Sequence, residues 1–100
     1  MDEAARAAFE RLLAIARSDT GQSRRVASFI LAWWNADSLG GFDLSEIFAV
    51  DRAIRRDMAI VVTGLAEFSV AYYPEAYRGE IEEFIRLWRP DVWARAVETA

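Results

Sequence analysis

Apolar residues recur at three- and four-residue spacing along almost the whole chain, and nowhere do they alternate for long with period two. The clearest stretch is Val26, Phe29, Ile30, Trp33 and Trp34, at i, i+3, i+4, i+7 and i+8. That is the stripe of a helix with one buried face. The pattern predicts an all-α chain. At 100 residues and 54% hydrophobic composition it has enough apolar material for one core and no more. The expectation is a compact single domain over residues 1–100, with five to six helices in a bundle-like or orthogonal array.

The spacing predicts a first helix over 3–17, capped by Asp2, with Ala5, Phe9, Leu12, Leu13 and Ala16 on one face and Arg6 paired with Glu10. A second helix is expected over 20–35, with Asp19 as cap and Gln22 three residues on, the spacing of a capping box. Residues 36–42, with Gly40-Gly41, read as a loop. Asp43 is placed to cap a short helix whose apolar side is Leu44, Ile47 and Phe48. Asp51 reads as the next cap, paired with Arg55 one turn on. The fourth and longest helix is expected over 52–72 and at the centre of the fold. Its stripe is Ile54, Met58, Val61, Val62, Leu65, Phe68 and Tyr72. Gly64 inside it costs about 1 kcal/mol relative to alanine, so it should mark a close helix–helix approach. Pro74 should stop the helix at Tyr73. Two more helices follow, over 80–88 with Glu82 paired to Arg86, and over 91–97 with Pro90 at its first position. The expected core is Phe9, Leu12, Val26, Phe29, Ile30, Trp33, Ile54, Met58, Val61, Leu65, Phe84, Ile85 and Trp88.

Missing residue types narrow the chemistry. The chain has no histidine and no cysteine, and all twelve of its bases are arginine. Thiolate and imidazole metal sites, disulfides, and Ser-His-Asp or Cys-His constellations are therefore excluded, as is a Schiff-base or Walker lysine. The remaining carboxylates do not form an obvious acid/base pair. Glu82 and Glu83 are adjacent on one helix and diverge by about 100°. Asp43, Glu46 and Asp51 sit where helix caps and first-turn charges belong. The expectation is a non-enzymatic protein without a cofactor or metal.

The net charge is −4, which opposes general affinity for nucleic acid or anionic lipid. The longest apolar run, Val26 to Trp34, is interrupted by Ser28 and is less than half of the roughly 20 residues that span a bilayer. The opening Met1-Asp2-Glu3 has neither a basic nor an apolar signal region. A cytoplasmic location and no membrane partner are expected. Direct nucleic-acid contact is the lesser alternative, and it would use Arg24, Arg25, Arg52, Arg55 and Arg56.

The aromatic surplus points to a partner protein. Four Trp, three Tyr and six Phe are hard to hide in a domain this small. Exposed Trp and Tyr beside arginine are the residue types that dominate interfaces. The candidate partner-binding residues are Trp34, Phe42, Tyr73, Tyr77 and Trp93. The acidic cluster Glu80, Glu82 and Glu83, with Glu75 nearby, joins them as a contact for a basic groove, in the manner of a nucleic-acid mimic. A third alternative is a self-associating module with the aromatics buried in a homodimer.

Six pieces carry a resemblance. They are Asp19-Thr20-Gly21-Gln22, Leu31-Ala32-Trp33-Trp34-Asn35, Gly41-Phe42-Asp43-Leu44, Ala49-Val50-Asp51, Tyr73-Pro74 and Trp88-Arg89-Pro90. In these the chain resembles a family of small uncharacterised bacterial proteins, frequently encoded on plasmids, integrative elements and prophages. What the resemblance implies is context. Small acidic proteins of mobile elements often bind a host protein or nucleoprotein complex stoichiometrically, and inhibitors of CRISPR effector complexes are one such class.

Overall fold

A computed structural model describes residues 1–99; the last residue of the expected domain, Ala100, lies outside them. Five α-helices carry the fold: α1 (Glu3–Ala16), α2 (Gly21–Leu39), α3 (Arg52–Leu65), α4 (Arg78–Trp88) and α5 (Pro90–Thr99). Short 3₁₀ turns at Leu44–Ala49 and Glu75–Tyr77 link them. There is no strand among the described residues, and no helix among them is long and apolar enough to cross a membrane.

The centre of the fold is α1, not the long fourth segment that the sequence favours. It packs against α3 and α2, while α2 also packs against α4, and α4 against α5. Six residues of α1 are buried: Ala5, Ala8, Phe9, Leu12, Leu13 and Ala16. Three of them are alanines, which let neighbours approach from more than one side. By contrast α3 is one-sided. Val62, which the spacing places in its stripe, is exposed, and so are Ala59 and Ala66 beside that stripe. Of the expected core, Phe9, Leu12, Val26, Ile30, Ile54, Met58, Val61 and Phe84 are buried. Phe29, Trp33, Leu65, Ile85 and Trp88 pack partly buried around them.

Four local expectations are revised. First, Thr20 caps α2 rather than Asp19: its hydroxyl accepts from the Ser23 N–H at 3.0 Å. Gln22 instead reaches Asp51, accepting from its backbone N–H at 2.7 Å and donating to its carboxylate at 3.3 Å. Second, α2 does not stop at Asn35 but breaks there (φ −167°, ψ 86°) and resumes for one turn. The Asn35 side chain caps that turn by accepting from the Ser38 N–H, and Gly40, at φ 93°, ends it. Third, α3 ends at Leu65 and not at Tyr72. The Glu67 and Phe68 N–H groups bond back only three residues, to Gly64 and Leu65, which tightens and finishes the helix. The chain beyond is tied elsewhere: Trp33 Nε1 donates to the Tyr72 carbonyl at 2.8 Å, and Phe68 stacks on Tyr72 with ring centroids 4.5 Å apart. Fourth, the 3₁₀ turn 44–49 has three residues per turn, so Phe48 points about 120° away from the side shared by Leu44 and Ile47, and Leu44, at the open first position of the turn, is not covered either. Ile47 turns inward, while Leu44 and Phe48 stand in solvent, 72% and 80% exposed.

The expected helical ion pairs also rearrange. Arg6 pairs with Glu3 and not Glu10. Arg86 pairs with Glu83, and Glu82 with Arg78. Arg55 does not pair with Asp51; it donates to the carbonyls of Val50 (3.0 Å) and Phe48 (3.2 Å).

Candidate functional site

The break at Asn35 gathers side chains that are remote in sequence. Trp34 is the last helical residue before it, at the point where α2 turns past the start of α4. The Arg78 guanidinium lies 4.9 Å from the Trp34 ring centroid. Tyr73 comes in from the irregular segment after α3, 45% exposed, and shares a depression with Trp34, Asn35, Glu75 and Arg78. On the other side of Trp34 a cleft of about 260 Å³ opens between the end of α2 and the α4–α5 pair. Ser38, Leu39, Ile85, Val92 and Trp93 line its walls, with Glu82 at the edge. The Arg86 guanidinium sits 5.7 Å from the Trp93 ring centroid. A third depression carries the apolar surface past Tyr73 to Val70 and Leu65.

This arrangement brings Trp34, Tyr73, Trp93 and Glu82 together out of the residues singled out by sequence. Phe42 and Tyr77 lie apart from them. Phe42 stands edge-on to Phe29, with centroids 5.4 Å apart. It flanks a smaller cleft near Arg24, Arg25 and Asp43. There the Ser45 hydroxyl and backbone N–H hold the Asp43 carboxyl below its ordinary range. Tyr77 packs edge-on against Phe9 with centroids 5.1 Å apart, and its hydroxyl donates to Glu10 at 2.8 Å. Burial pushes its phenol pKa up, and the Glu10 carboxylate adds to the rise. Its contacts are those of an anchor between α1 and the α4 entry.

The acidic cluster is not a free negative face. Arg78 bridges Glu75 at 2.7 Å and Glu82 at 3.8 Å. Arg17 reaches Glu80 at 3.8 Å, and Arg86 holds Glu83. Each glutamate of the cluster therefore has a cation beside it, which weakens the likeness to a polyanion. Among the described residues no three carboxylates form a group able to hold a metal ion.

The arginine set of the nucleic-acid alternative is divided as well. Arg25 pairs with Glu46 and Arg55 is spent on backbone carbonyls. Arg24, Arg52 and Arg56 remain exposed.

Several contributors were not singled out in the sequence. Arg78 has a signal there, since it stands three residues after Glu75 and four before Glu82. Its place over Trp34 has none, because that contact depends on how α2 and α4 cross. The apolar spacing does end its helix at Asn35, where the break falls, but nothing in it signals the further helical turn to Leu39.

Residues 6–89 match the model of a family of unknown function, DUF7673. The chain belongs to that family. No curated protein and no solved structure matches it.

Proposed function

We propose that this DUF7673 protein is a non-enzymatic binding module that acts by occupying a surface on a larger partner. The cleft at the α2 break carries the reading. Trp34 and Trp93 line it, Tyr73 shares the adjoining depression on the far side of Trp34, and an arginine lies over each tryptophan. Trp, Tyr and Arg are the side chains that most often anchor interfaces. The cleft is walled by Leu39, Ile85, Val92 and Trp93 and continues past Trp34 into shallow depressions beside Tyr73. It suits a few inserted side chains better than a metabolite. The pairing of Glu75, Glu80, Glu82 and Glu83 with arginines also leaves those carboxylates poorly placed for acid/base work.

The resemblance to proteins of plasmids, integrative elements and prophages supplies the setting. In it the chain is an accessory protein of a mobile element that stoichiometrically inhibits a host protein or nucleoprotein complex, as anti-CRISPR proteins inhibit CRISPR effectors. The nucleic-acid alternative draws less support, since Arg25 and Arg55 are already engaged.

The test is affinity capture from a host lysate with the wild-type chain and with a Trp34→Ala/Tyr73→Ala/Trp93→Ala variant that keeps its helical circular dichroism. The expected result is a stoichiometric partner, retained at high salt by the wild type and lost by the variant. Equal retention by both overturns the cleft as the interface. Recovery of the chain alone, with a dimeric mass by light scattering, moves the reading to a homodimer. In cells with an active CRISPR system, the wild type should restore plasmid or phage survival and the variant should not.

A further inference from the structure

A second surface lies away from the cleft, where the 3₁₀ turn 44–49 meets the start of α3. Phe48 is 80% exposed there, yet its backbone is tied down. Arg55 donates to its carbonyl and to that of Val50, and Glu46, two residues back, is tied to Arg25 of α2. Leu44, at the start of the same turn, is the second exposed apolar side chain. A phenylalanine on a clamped backbone keeps apolar surface available with less backbone left to order on contact.

The charge beside it is unusual for this chain. Arg52 and Arg56 stand one turn apart on α3, both exposed, and their side chains have no hydrogen bond or ion pair. Arg24 on α2 is the one other arginine among the described residues of which this holds. The neighbouring acids are occupied: Asp57 receives a two-pronged contact from Arg11 at 2.8 and 3.0 Å, and Asp51 accepts from Gln22. An acidic protein thus keeps two arginines without an ion pair on the first turns of α3, Arg52 only four residues after its most exposed aromatic.

We propose that Phe48, Leu44, Arg52 and Arg56 form a docking face for an acidic segment of a partner protein, one with carboxylates flanking an apolar residue. The carboxylates meet Arg52 and Arg56, and the apolar residue packs on Phe48 and Leu44. Charge complementarity selects this occupant. Nucleic acid fits less well, because its binding rests on neutralising many phosphates, whereas two arginines on a chain of net charge −4 neutralise few. This face goes beyond the cleft at the α2 break and does not depend on it.

The experiment is selection from a random-peptide phage library on the immobilised full chain, followed by fluorescence anisotropy with the selected peptides. The expected consensus places Asp or Glu on either side of an aromatic or aliphatic residue. Binding should fall about tenfold or more on Phe48→Ala and on Arg52→Ala/Arg56→Ala. It should weaken with salt and be unchanged by Trp34→Ala/Tyr73→Ala. Recovery of no acidic consensus overturns the proposal, as does binding that survives Phe48→Ala. Peptides lost on Trp34→Ala instead belong to the cleft, and they overturn this face while supporting that one. Tighter binding of a labelled DNA duplex than of any selected peptide, lost with Arg52→Ala/Arg56→Ala, also overturns it.

Discussion

Gly64 of α3 faces Ala5 of α1 so closely that a Cβ added to Gly64 would lie 2.9 Å from the Ala5 Cβ. The glycine is therefore what lets α3 lie against the central helix. Gly64→Ala gains about 1 kcal/mol of helix propensity, but forcing the two helices apart costs about 1–3 kcal/mol. The net should be destabilising by about 1 kcal/mol, which is a Tm loss of ~4–8 °C in a domain of this size. Thermal melts of Gly64→Ala, Ala5→Gly and the double variant check it. The double variant should lose less than the sum of the singles. Additive losses would mean that the contact is not what the glycine serves.

Arg11 and Asp57 supply the other α1–α3 tie. The Arg11 guanidinium, whose pKa the carboxylate raises, reaches Asp57 through Nε and Nη2. Asp57 is buried and Arg11 is more than half exposed. Removing the arginine strands a buried carboxylate, which is worse than removing both charges. Arg11→Met should therefore lower Tm more than Arg11→Met/Asp57→Leu does. Equal losses would show that the bridge is surface decoration.

Helix existence and most of the core were legible in the sequence because apolar spacing reports burial of a helical face directly. The revisions fall where two elements compete for one group. The spacing to Gln22 favours Asp19 as the cap, but the path into α2 turns the Thr20 hydroxyl onto the Ser23 N–H and leaves Gln22 to Asp51. The α3 stripe continues on paper to Tyr72, but the Tyr72 carbonyl is taken by Trp33, thirty-nine residues away. The same holds at the candidate site. Trp34, Tyr73 and Trp93 stand out as surplus aromatics, and the end of regular spacing at Asn35 is legible too, whereas the Arg78 cover over Trp34 depends on how α2 and α4 cross. Phe48 shares the apolar side of the short helix only at α-helical spacing; in the 3₁₀ turn it points away from Leu44 and Ile47.

Tyr77 gives the fold an alkaline limit. Its phenol is held above its ordinary pKa of 10.0 by burial and then by the Glu10 carboxylate. A group whose folded pKa is raised contributes stability that is complete below the unfolded value and is lost as pH rises through the folded one. Stability should thus hold through neutral pH and fall above pH 10. Tyr77→Phe should begin less stable, by about 1 kcal/mol for the lost hydrogen bond, and should show a shallower alkaline decline. Denaturant melts at pH 7, 9, 10 and 11 read both. An unchanged alkaline slope would remove Tyr77 as the cause.

Arg89 connects stability to the cleft. From the α4–α5 joint it donates to the Leu39 carbonyl at 2.7 Å, to the Trp88 carbonyl at 2.9 Å and to the Ser28 hydroxyl at 3.3 Å. Leu39 ends the helical turn after the Asn35 break and forms one wall of the cleft; Val92 and Trp93, just past Arg89, form the other. The guanidinium thus sets the distance between walls that it does not itself line. Arg89→Met leaves two carbonyls short of a donor and should cost about 3 kcal/mol, since each charged hydrogen bond contributes ~1.5–3 kcal/mol. Arg89→Lys can reach only part of the fork and should recover less than half of that. Hydrogen exchange offers a local reading: the Gly40 N–H, bonded to the Ala36 carbonyl at 2.9 Å, should lose protection before the amides of α1 do. A partner held by the cleft should bind both variants more weakly, although Arg89 is not among the residues expected to touch it. Protection lost evenly across the chain would instead make Arg89 a general stabiliser, with no specific part in spacing the walls.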